Sequence, residues 1–151
     1  MEPFSVSHDA ADPIGINVFA GNDKATIVTD TGVISDDILR RLDDTTLLVL
    51  EANYDPHMLR FGPYQPFLKQ RVASDEGHLS NEMAAQALLM MKRPNFMQVI
   101  LAHRSENNNN AVLVTQTIGK MLVDGGVRIG PEMKLQHGQP NEIVSIQSVK
   151  R

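Results

Sequence analysis

The feature that most constrains the fold of this chain is a short apolar run at residues 97–102 that ends at His103. The run is too short to cross a membrane, and the polar segments Pro94-Asn95 and Ser105-Glu-Asn on either side of it are typical of a buried strand. An imidazole therefore stands at the carboxyl end of a core strand. In open α/β sheets this edge binds ligands and metals. The alternative is a histidine held by a backbone carbonyl.

Length and composition predict one soluble domain with a substantial core, since 42% of the 151 residues are hydrophobic. The absence of cysteine leaves His, Asp and Glu as the ligands for a transition metal. With no leader and no apolar segment of membrane length in this sequence, we expect a cytoplasmic protein without a membrane partner. The net charge of −4 argues against binding nucleic acid through bulk electrostatics. Local phosphate contacts stay open for Lys69, Arg71, Lys92, Arg93 and Arg104.

The hydrophobic periodicity predicts an α/β chain with a mixed sheet. Strands are expected at residues 3–8, 14–20, 24–30, 46–51, 97–102, 133–137 and 142–149, the second and third forming a hairpin and the last two a closing hairpin. Helices are expected at residues 35–42, 80–91 and 111–123, with short helical pieces at 57–64 and 67–73. His137 alternates outward in its strand, so we expect it to face solvent.

Five side chains able to bind metal or transfer protons fall at strand exits or helix starts: His8, Asp30, Glu51, His78 and His103. A sheet gathers such exits along one edge, so these side chains could meet there. Glu51 either caps the next helix or orients a neighbouring imidazole. His78 precedes a helix whose positive end favours a neutral imidazole unless a carboxylate compensates. The spacing alone leaves open that polar residues simply end these strands.

Several short motifs, taken in order, resemble the second half of the metallo-β-lactamase-fold hydrolases. They are Phe4-Ser-Val-Ser-His8-Asp-Ala, Ile27-Val-Thr-Asp30-Thr-Gly32, Glu51-Ala-Asn-Tyr-Asp, Leu68-Lys-Gln-Arg-Val, Gly77-His78-Leu-Ser-Asn81 and Leu101-Ala-His103-Arg-Ser-Glu-Asn-Asn108. The branch that they resemble is the YycJ (WalJ)-like group, which is related to the endonuclease RNase Z and the phosphodiesterase PhnP. The resemblance covers almost the whole chain.

The resemblance implies a role for each matching residue. His8 and His103 would be metal ligands, and Asp30 would be the carboxylate that bridges two divalent ions, Zn or Mn, in the complete fold. His78, supported by Glu51, would donate the proton to the leaving oxygen, while the ions would activate water and neutralise phosphoryl charge. The matching motifs also contain the substrate-binding candidates: Lys69, Arg71, Asn81 and Ser105.

The family's His-x-His-x-Asp-His signature is absent from these residues. The resemblance therefore implies an α/β (α+β layered) fold that is the C-terminal half of an αββα sandwich, with residues 1–151 forming one partial domain and helices on one face of a mixed sheet. Such a chain offers three of about seven metal-binding groups. We expect it to be inactive alone, to leave one sheet face uncovered, and to need a partner segment that carries the signature.

The leading hypothesis is thus the C-terminal part of a dinuclear metal-dependent hydrolase acting on nucleic acid or a smaller phosphodiester. One alternative is a non-catalytic half-fold that serves as an interaction module or forms a homo-oligomer. Another is a lactamase- or thioesterase-type hydrolase, because the same fold supports both chemistries.

Overall fold

The computed structural model of the protein describes residues 1–146, which form one mixed sheet with helices packed against it. The strands are β1 (Glu2–Ser5), β2 (Ile14–Ala20), β3 (Asp23–Val28), β4 (Leu47–Glu51), β5 (Met97–Ala102) and β6 (Met133–His137). The helices are α1 (Asp36–Leu42), α2 (Pro56–Phe61), α3 (Pro66–Val72), α4 (Asn81–Met90) and α5 (Ala111–Asp124). Across the described residues, no helix combines the length and the apolar character that crossing a bilayer requires.

The strands lie side by side in the same order as in the sequence. β1 pairs antiparallel with β2, and β2 antiparallel with β3, whereas the pairs β3–β4, β4–β5 and β5–β6 are parallel. Two antiparallel pairings in succession leave β1 running in the direction of β3. As a result β1, β3, β4, β5 and β6 all end at one edge of the sheet, and the loops that follow them can share a site there.

One face of the sheet is covered by α1, α4 and α5. Ile38, Leu88 and Ile118, one from each helix, are at most 2% exposed and share a core with Leu50 and Leu101 of the central strands. Burial of side chains of this size contributes about 1.5–3 kcal/mol each, so this layer holds the helices and their preceding loops in place.

Each of these three helices begins at a side-chain cap. Ser35, Ser80 and Asn110 each accept a hydrogen bond from the backbone N–H three residues further on. The cap fixes the residue at which the helix begins. His78 lies two residues before the cap of α4, so the cap at Ser80 also helps to set the position of the His78 side chain at the edge of the sheet.

The opposite face of the sheet is only partly covered by the described residues: Gln98 and Ile100 of β5 are buried there, whereas the β2–β3 part is exposed. Ile14, Val18 and Ile27 point away from the helices and are 49%, 41% and 44% exposed. Alternation along a strand places these residues on the face opposite the helix-covered core. The expectation of one uncovered sheet face therefore applies to the β2–β3 part alone.

The C-terminal segment differs from the sequence-based prediction. β6 pairs in parallel with β5, residues 142–146 form no strand, and no strand after β6 pairs with it as far as the structure describes the chain, to residue 146. Residues 147–149 of the predicted closing hairpin lie outside the described residues. His137 is half-buried and not solvated, with its Nε2 2.8 Å from Thr115 Oγ1. Alternation with a period of two identifies a half-buried strand but does not say which strand it pairs with.

We expect Gly77→Ala to lower the free energy of unfolding by about 1–3 kcal/mol, the usual cost of overpacking. A Cβ at Gly77 would lie 2.3 Å from the carbonyl oxygens of Arg71 and Val72, and backbone atoms cannot yield as a side chain can. The control is Gly119→Ala in α5, where the nearest atom would be Ile129 Cδ1 at 3.8 Å. This control should stabilise the protein by about 1 kcal/mol through helix propensity. Urea unfolding measures both, and equal effects would contradict the close approach at Gly77.

Candidate metal centre

The loops at the carboxyl edge of the sheet bring the five predicted site residues together. His8, Asp30, His78 and His103 line one pocket of about 480 Å³, and Glu51 lies buried beside two of these imidazoles. A larger cavity of about 830 Å³ lies at the amino ends of the parallel strands and contains none of the five. The site is therefore identified by the meeting of these five side chains and not by the volume of the cavity.

Glu51 is the centre of the hydrogen-bond network. Its side chain is 0% exposed, and Oε1 lies 2.7 Å from Nδ1 of His78 and 2.7 Å from Nδ1 of His103. Oε2 accepts the backbone N–H groups of Thr31 at 3.2 Å and Leu79 at 3.4 Å. An ionised carboxylate can only accept, so both imidazoles carry a proton on Nδ1 and direct Nε2 elsewhere.

The pKa values of Glu51 and His103 move in the directions expected for this pairing. Burial by itself raises the pKa of the Glu51 carboxyl, but the hydrogen bonds from His103 and His78 outweigh it and hold that pKa below its ordinary value. The hydrogen bond to Glu51 raises the pKa of His103, against the opposing effect of burial. Glu51 therefore stays ionised at neutral pH and keeps both imidazoles oriented.

His8 is held in the same way by a backbone group. Its Nδ1 donates to the carbonyl oxygen of Gly77 at 3.0 Å, which leaves Nε2 facing Asp30 Oδ1 at 3.8 Å and Asp9 Oδ1 at 3.5 Å. Anchoring of Nδ1 by a carbonyl or a carboxylate is the arrangement that metal-ligating histidines have. All three pocket histidines share it.

Asp30 lies between two of these imidazoles. Its Oδ1 is 3.8 Å from Nε2 of His8 and 3.6 Å from Nε2 of His103. Within residues 1–146, the possible ligand atoms that lie within 4.8 Å of one another form two groups, His8–Asp30–His78 and Glu51–His78–His103. His8 and His103 fall in different groups while Asp30 approaches both, which suits two ions that share a carboxylate.

The chemistry of the donors fits a divalent transition metal. Neutral imidazole nitrogens and a carboxylate oxygen are ligands for Zn and Mn alike, so the donor set does not select one of them. With Glu51 occupied by four hydrogen bonds, the two groups of possible ligands among the described residues retain three histidines and one aspartate. A site for two ions would need more ligands than these four.

The backbone is strained at two of these positions. Asp30 has a φ of 54° and His103 a φ of 52°, in the left-handed region that residues other than glycine seldom adopt. Asn53 supports the second of them, because its Nδ2 donates to the His103 carbonyl at 2.8 Å and its own carbonyl accepts from Ser105 at 2.9 Å. Strain of this kind clusters at functional sites. Sequence reasoning did not single out Asn53 or Thr31, although both follow strand exits at this edge.

The substrate-binding candidates divide into two groups. Arg71 and Ser105 line the pocket, and so does Arg104, whose Nη1 is buried without a hydrogen-bond partner among the described residues. Lys69 lies outside the pocket lining and donates to the carbonyl of Arg60 at 2.8 Å. Asn81 is wholly buried and exchanges hydrogen bonds with Asn109 at 2.8 and 3.1 Å. A direct contact between Asn81 and a substrate would require this amide pair to open.

Comparison with known proteins identifies relatives along almost the whole chain. It is 34% identical over 149 residues to a protein called exodeoxyribonuclease YycJ of Bacillus anthracis, covering 99% of this chain and 56% of that one. It is 33% identical over 141 residues to exodeoxyribonuclease WalJ of Streptococcus pneumoniae strain D39, covering 93% and 52%. The chain thus spans about half the length of the curated relatives that it matches. No family model matches the sequence.

A solved structure has a similar fold. The metallo-β-lactamase fold protein YhfI of Bacillus subtilis superposes with a TM-score of 0.59 at 12% sequence identity, over 91% of this chain and 45% of that one. At this identity the likeness concerns the fold alone. The α/β arrangement with a six-stranded mixed sheet and helices matches part of a metallo-β-lactamase fold.

Glu51→Gln should lower the pKa of His103 in the metal-free chain towards its ordinary value, because the hydrogen bond to Glu51 is the main cause of the increase. The imidazole Cε1–H resonances, followed by NMR over a pH titration in the presence of EDTA, give this pKa directly. Asp30→Asn is the matched control and should move the pKa less, since the charge of Asp30 is the smallest of its causes. An unchanged His103 pKa in Glu51→Gln would contradict the role assigned to the buried carboxylate.

Proposed function

Because this chain belongs to the YycJ/WalJ-like group of metallo-β-lactamase-fold proteins, a family of metal-dependent hydrolases and nucleases, we propose that it supplies one half of a centre that hydrolyses phosphodiesters. The observation that carries the proposal is the trio of Nδ1-anchored imidazoles around Asp30, two of them bonded to the buried Glu51 and the third to the Gly77 carbonyl. Two relatives are called exodeoxyribonucleases, which favours DNA as the substrate.

His8, Asp30 and His103 are the proposed metal ligands, with Asp30 shared between two divalent ions. The ions, Zn or Mn, would supply Lewis acidity for the attacking water and the phosphoryl oxygens. The residues hold their donor atoms ready, because Gly77 fixes His8 and Glu51 fixes His103 through Nδ1. Strain at Asp30 and His103 is maintained by the surrounding hydrogen bonds.

His78 is the proposed proton donor to the leaving oxygen. Among the described residues Asp30 forms close pairs with His8 and His103 but not with His78, so His8 and His103 are the better candidates for ligands and His78 for proton transfer. Glu51 accepts the Nδ1–H of His78 at 2.7 Å and so fixes the orientation of the ring. When the ring is protonated on both nitrogens, Nε2–H can pass its proton to the departing alkoxide, after which the ring is neutral and keeps its Nδ1 proton.

The remaining ligands are proposed to come from a segment that carries the His-x-His-x-Asp-His signature. The exposed β2–β3 part of the sheet face, with Ile14, Val18 and Ile27, is a suitable surface for such a segment. The relatives are about twice as long as the aligned region, which is consistent with a second half of similar size. On this proposal residues 1–151 alone do not turn over substrate. Arg71 and Ser105, which line the pocket, are the proposed contacts to the substrate phosphate.

We expect the chain, co-expressed with a segment bearing that signature, to take up metal and hydrolyse bis(p-nitrophenyl) phosphate and single-stranded DNA. In this assembly His78→Ala should lower kcat by about 10²–10⁴-fold, the usual contribution of a general acid, while the metal content stays unchanged. His103→Ala should lose metal together with activity. Gln116→Ala, which changes an exposed side chain of α5 outside the pocket lining, is the control and should change neither.

Metal content by mass spectrometry and initial rates separate the outcomes. Absence of hydrolysis in an assembly that has bound metal would count against phosphodiester chemistry. Loss of metal from His78→Ala would make His78 a ligand, as its membership of the His8–Asp30–His78 group also permits. A stable, metal-free homodimer that does not bind the added segment would favour the interaction module.

A further inference from the structure

The segment formed by α2 and α3, residues 56–72, is basic in an acidic protein. It contains Arg60, Lys69 and Arg71 and has no Asp or Glu, whereas the whole chain has a net charge of −4. Among the described residues Arg60 and Lys69 form no ion pair, and Lys69 Nζ donates to the Arg60 carbonyl, which ties the two helices together. Their charges are therefore free to meet an anionic partner.

The same segment exposes two phenyl rings. Phe61 is 67% exposed and Phe67 is 71% exposed, and neither belongs to a core cluster. The inner side of the segment is already packed, since Leu59 and Val72 are buried against Tyr54. The two rings are thus not needed to hold α2 and α3 in place. Single exposed apolar residues are common, but two aromatic rings among unpaired cations form a more specific surface.

This surface continues into the metal-centre pocket. Tyr64, Leu68 and Arg71 line the pocket, and Arg71 is hydrogen-bonded to Asp9 at its rim. Phe67 precedes Arg71 by four residues in α3, so the two lie on the same side of the helix, about 6 Å apart along its axis. A molecule lying across Phe67 therefore reaches the pocket within one helical turn.

We propose that residues 56–72 bind single-stranded DNA and guide it into the pocket. Phe67 and Phe61 stack on unpaired bases, and Arg60 and Lys69 contact the phosphates. Proteins that bind single strands combine aromatic platforms with a basic path in this way. Phe61 contacts Arg60, at 5.3 Å from its ring centroid, and the His57 ring at 4.6 Å, and it is still 67% exposed. The inference rests on the proposed function, because it supplies that site with its substrate.

The competing occupant is a second copy of this chain. An apolar contact between two copies would bury Phe61 and Phe67, but it would also bring the unpaired cations of the two segments close to each other. That repulsion is absent when the partner is a polyanion. Duplex DNA is also a poorer partner, because paired and stacked bases offer no free face to a phenyl ring.

The test measures binding of a labelled oligothymidylate of about 20 nucleotides by fluorescence anisotropy in EDTA. Phe67→Ala should weaken binding roughly tenfold, and Phe67→Leu should weaken it to a similar degree because it keeps apolar area without an aromatic face. Phe67→Tyr should bind as the wild type does. The matched control is Phe19→Ala, which removes a ring that is 49% exposed at the opposite edge of the sheet and should leave the affinity unchanged.

The charges are tested separately by the salt dependence of the affinity. Arg60→Gln combined with Lys69→Gln should reduce the slope of log K against log salt by about 1.4, at roughly 0.7 for each lost phosphate contact on a single strand. The corresponding duplex should bind more weakly than the single strand to the wild-type chain. Thermal melting checks that each variant is folded.

The proposal would be overturned if Phe67→Ala bound the oligothymidylate as tightly as the wild type does, or if the wild type bound single strand and duplex equally. It would also be overturned if the wild-type chain were a dimer that Phe67→Ala converts to a monomer without weakening its binding to DNA. The binding assay contains no metal and needs no cleavage, so its result is independent of the proposed hydrolysis. Phe67-dependent binding without hydrolysis would support the binding surface and contradict the proposed function. Hydrolysis without Phe67-dependent binding would support the proposed function and contradict the binding surface.

Discussion

The organisation of this protein depends on one buried carboxylate. Removing an ionised group from water costs several kcal/mol unless hydrogen bonds replace the lost solvation. Glu51 meets that requirement with donors from three separate loops: Thr31 after β3, His78 and Leu79 before α4, and His103 after β5. The same four bonds that keep the charge buried hold the three loops together. Stability and site geometry are therefore coupled through a single residue.

The positions of the other site residues follow from the sheet edge. Because β1, β3, β4 and β5 end on the same side, the residues after them must turn sharply to remain near one another. Asp30 and His103 make that turn with positive φ, a conformation that costs energy in residues with a Cβ. Asn53 holds the second turn by bonding to its carbonyl. The unfavourable backbone conformations thus occur where side chains from several strands meet, as is usual at functional sites.

Local sequence signals were sufficient for the elements that carry the site but not for the contacts within it. The caps at Ser35, Ser80 and Asn110 begin their helices, and the apolar runs before Glu51 and His103 form strands, because those signals act within a few residues. The double hydrogen bond to Glu51 joins residues 27 and 52 positions apart in sequence. The spacing of these residues in the sequence does not predict a contact between them. For the same reason alternation identified β6 without its partner strand, and Asn81 could not be recognised as half of a buried amide pair.

On the proposed function, the exposed apolar part of the sheet face and the need for further metal ligands have the same structural origin. Ile27 is exposed on that face and precedes Asp30 by three residues, a distance of about 10 Å along an extended strand. Any segment that packs on Ile14, Val18 and Ile27 and follows the strand direction would therefore arrive at the edge where His8, Asp30 and His103 direct their free ligand atoms. Covering the apolar surface and completing the metal coordination would then be one event, so metal affinity should be linked to assembly in the same way as ligand binding is linked to folding.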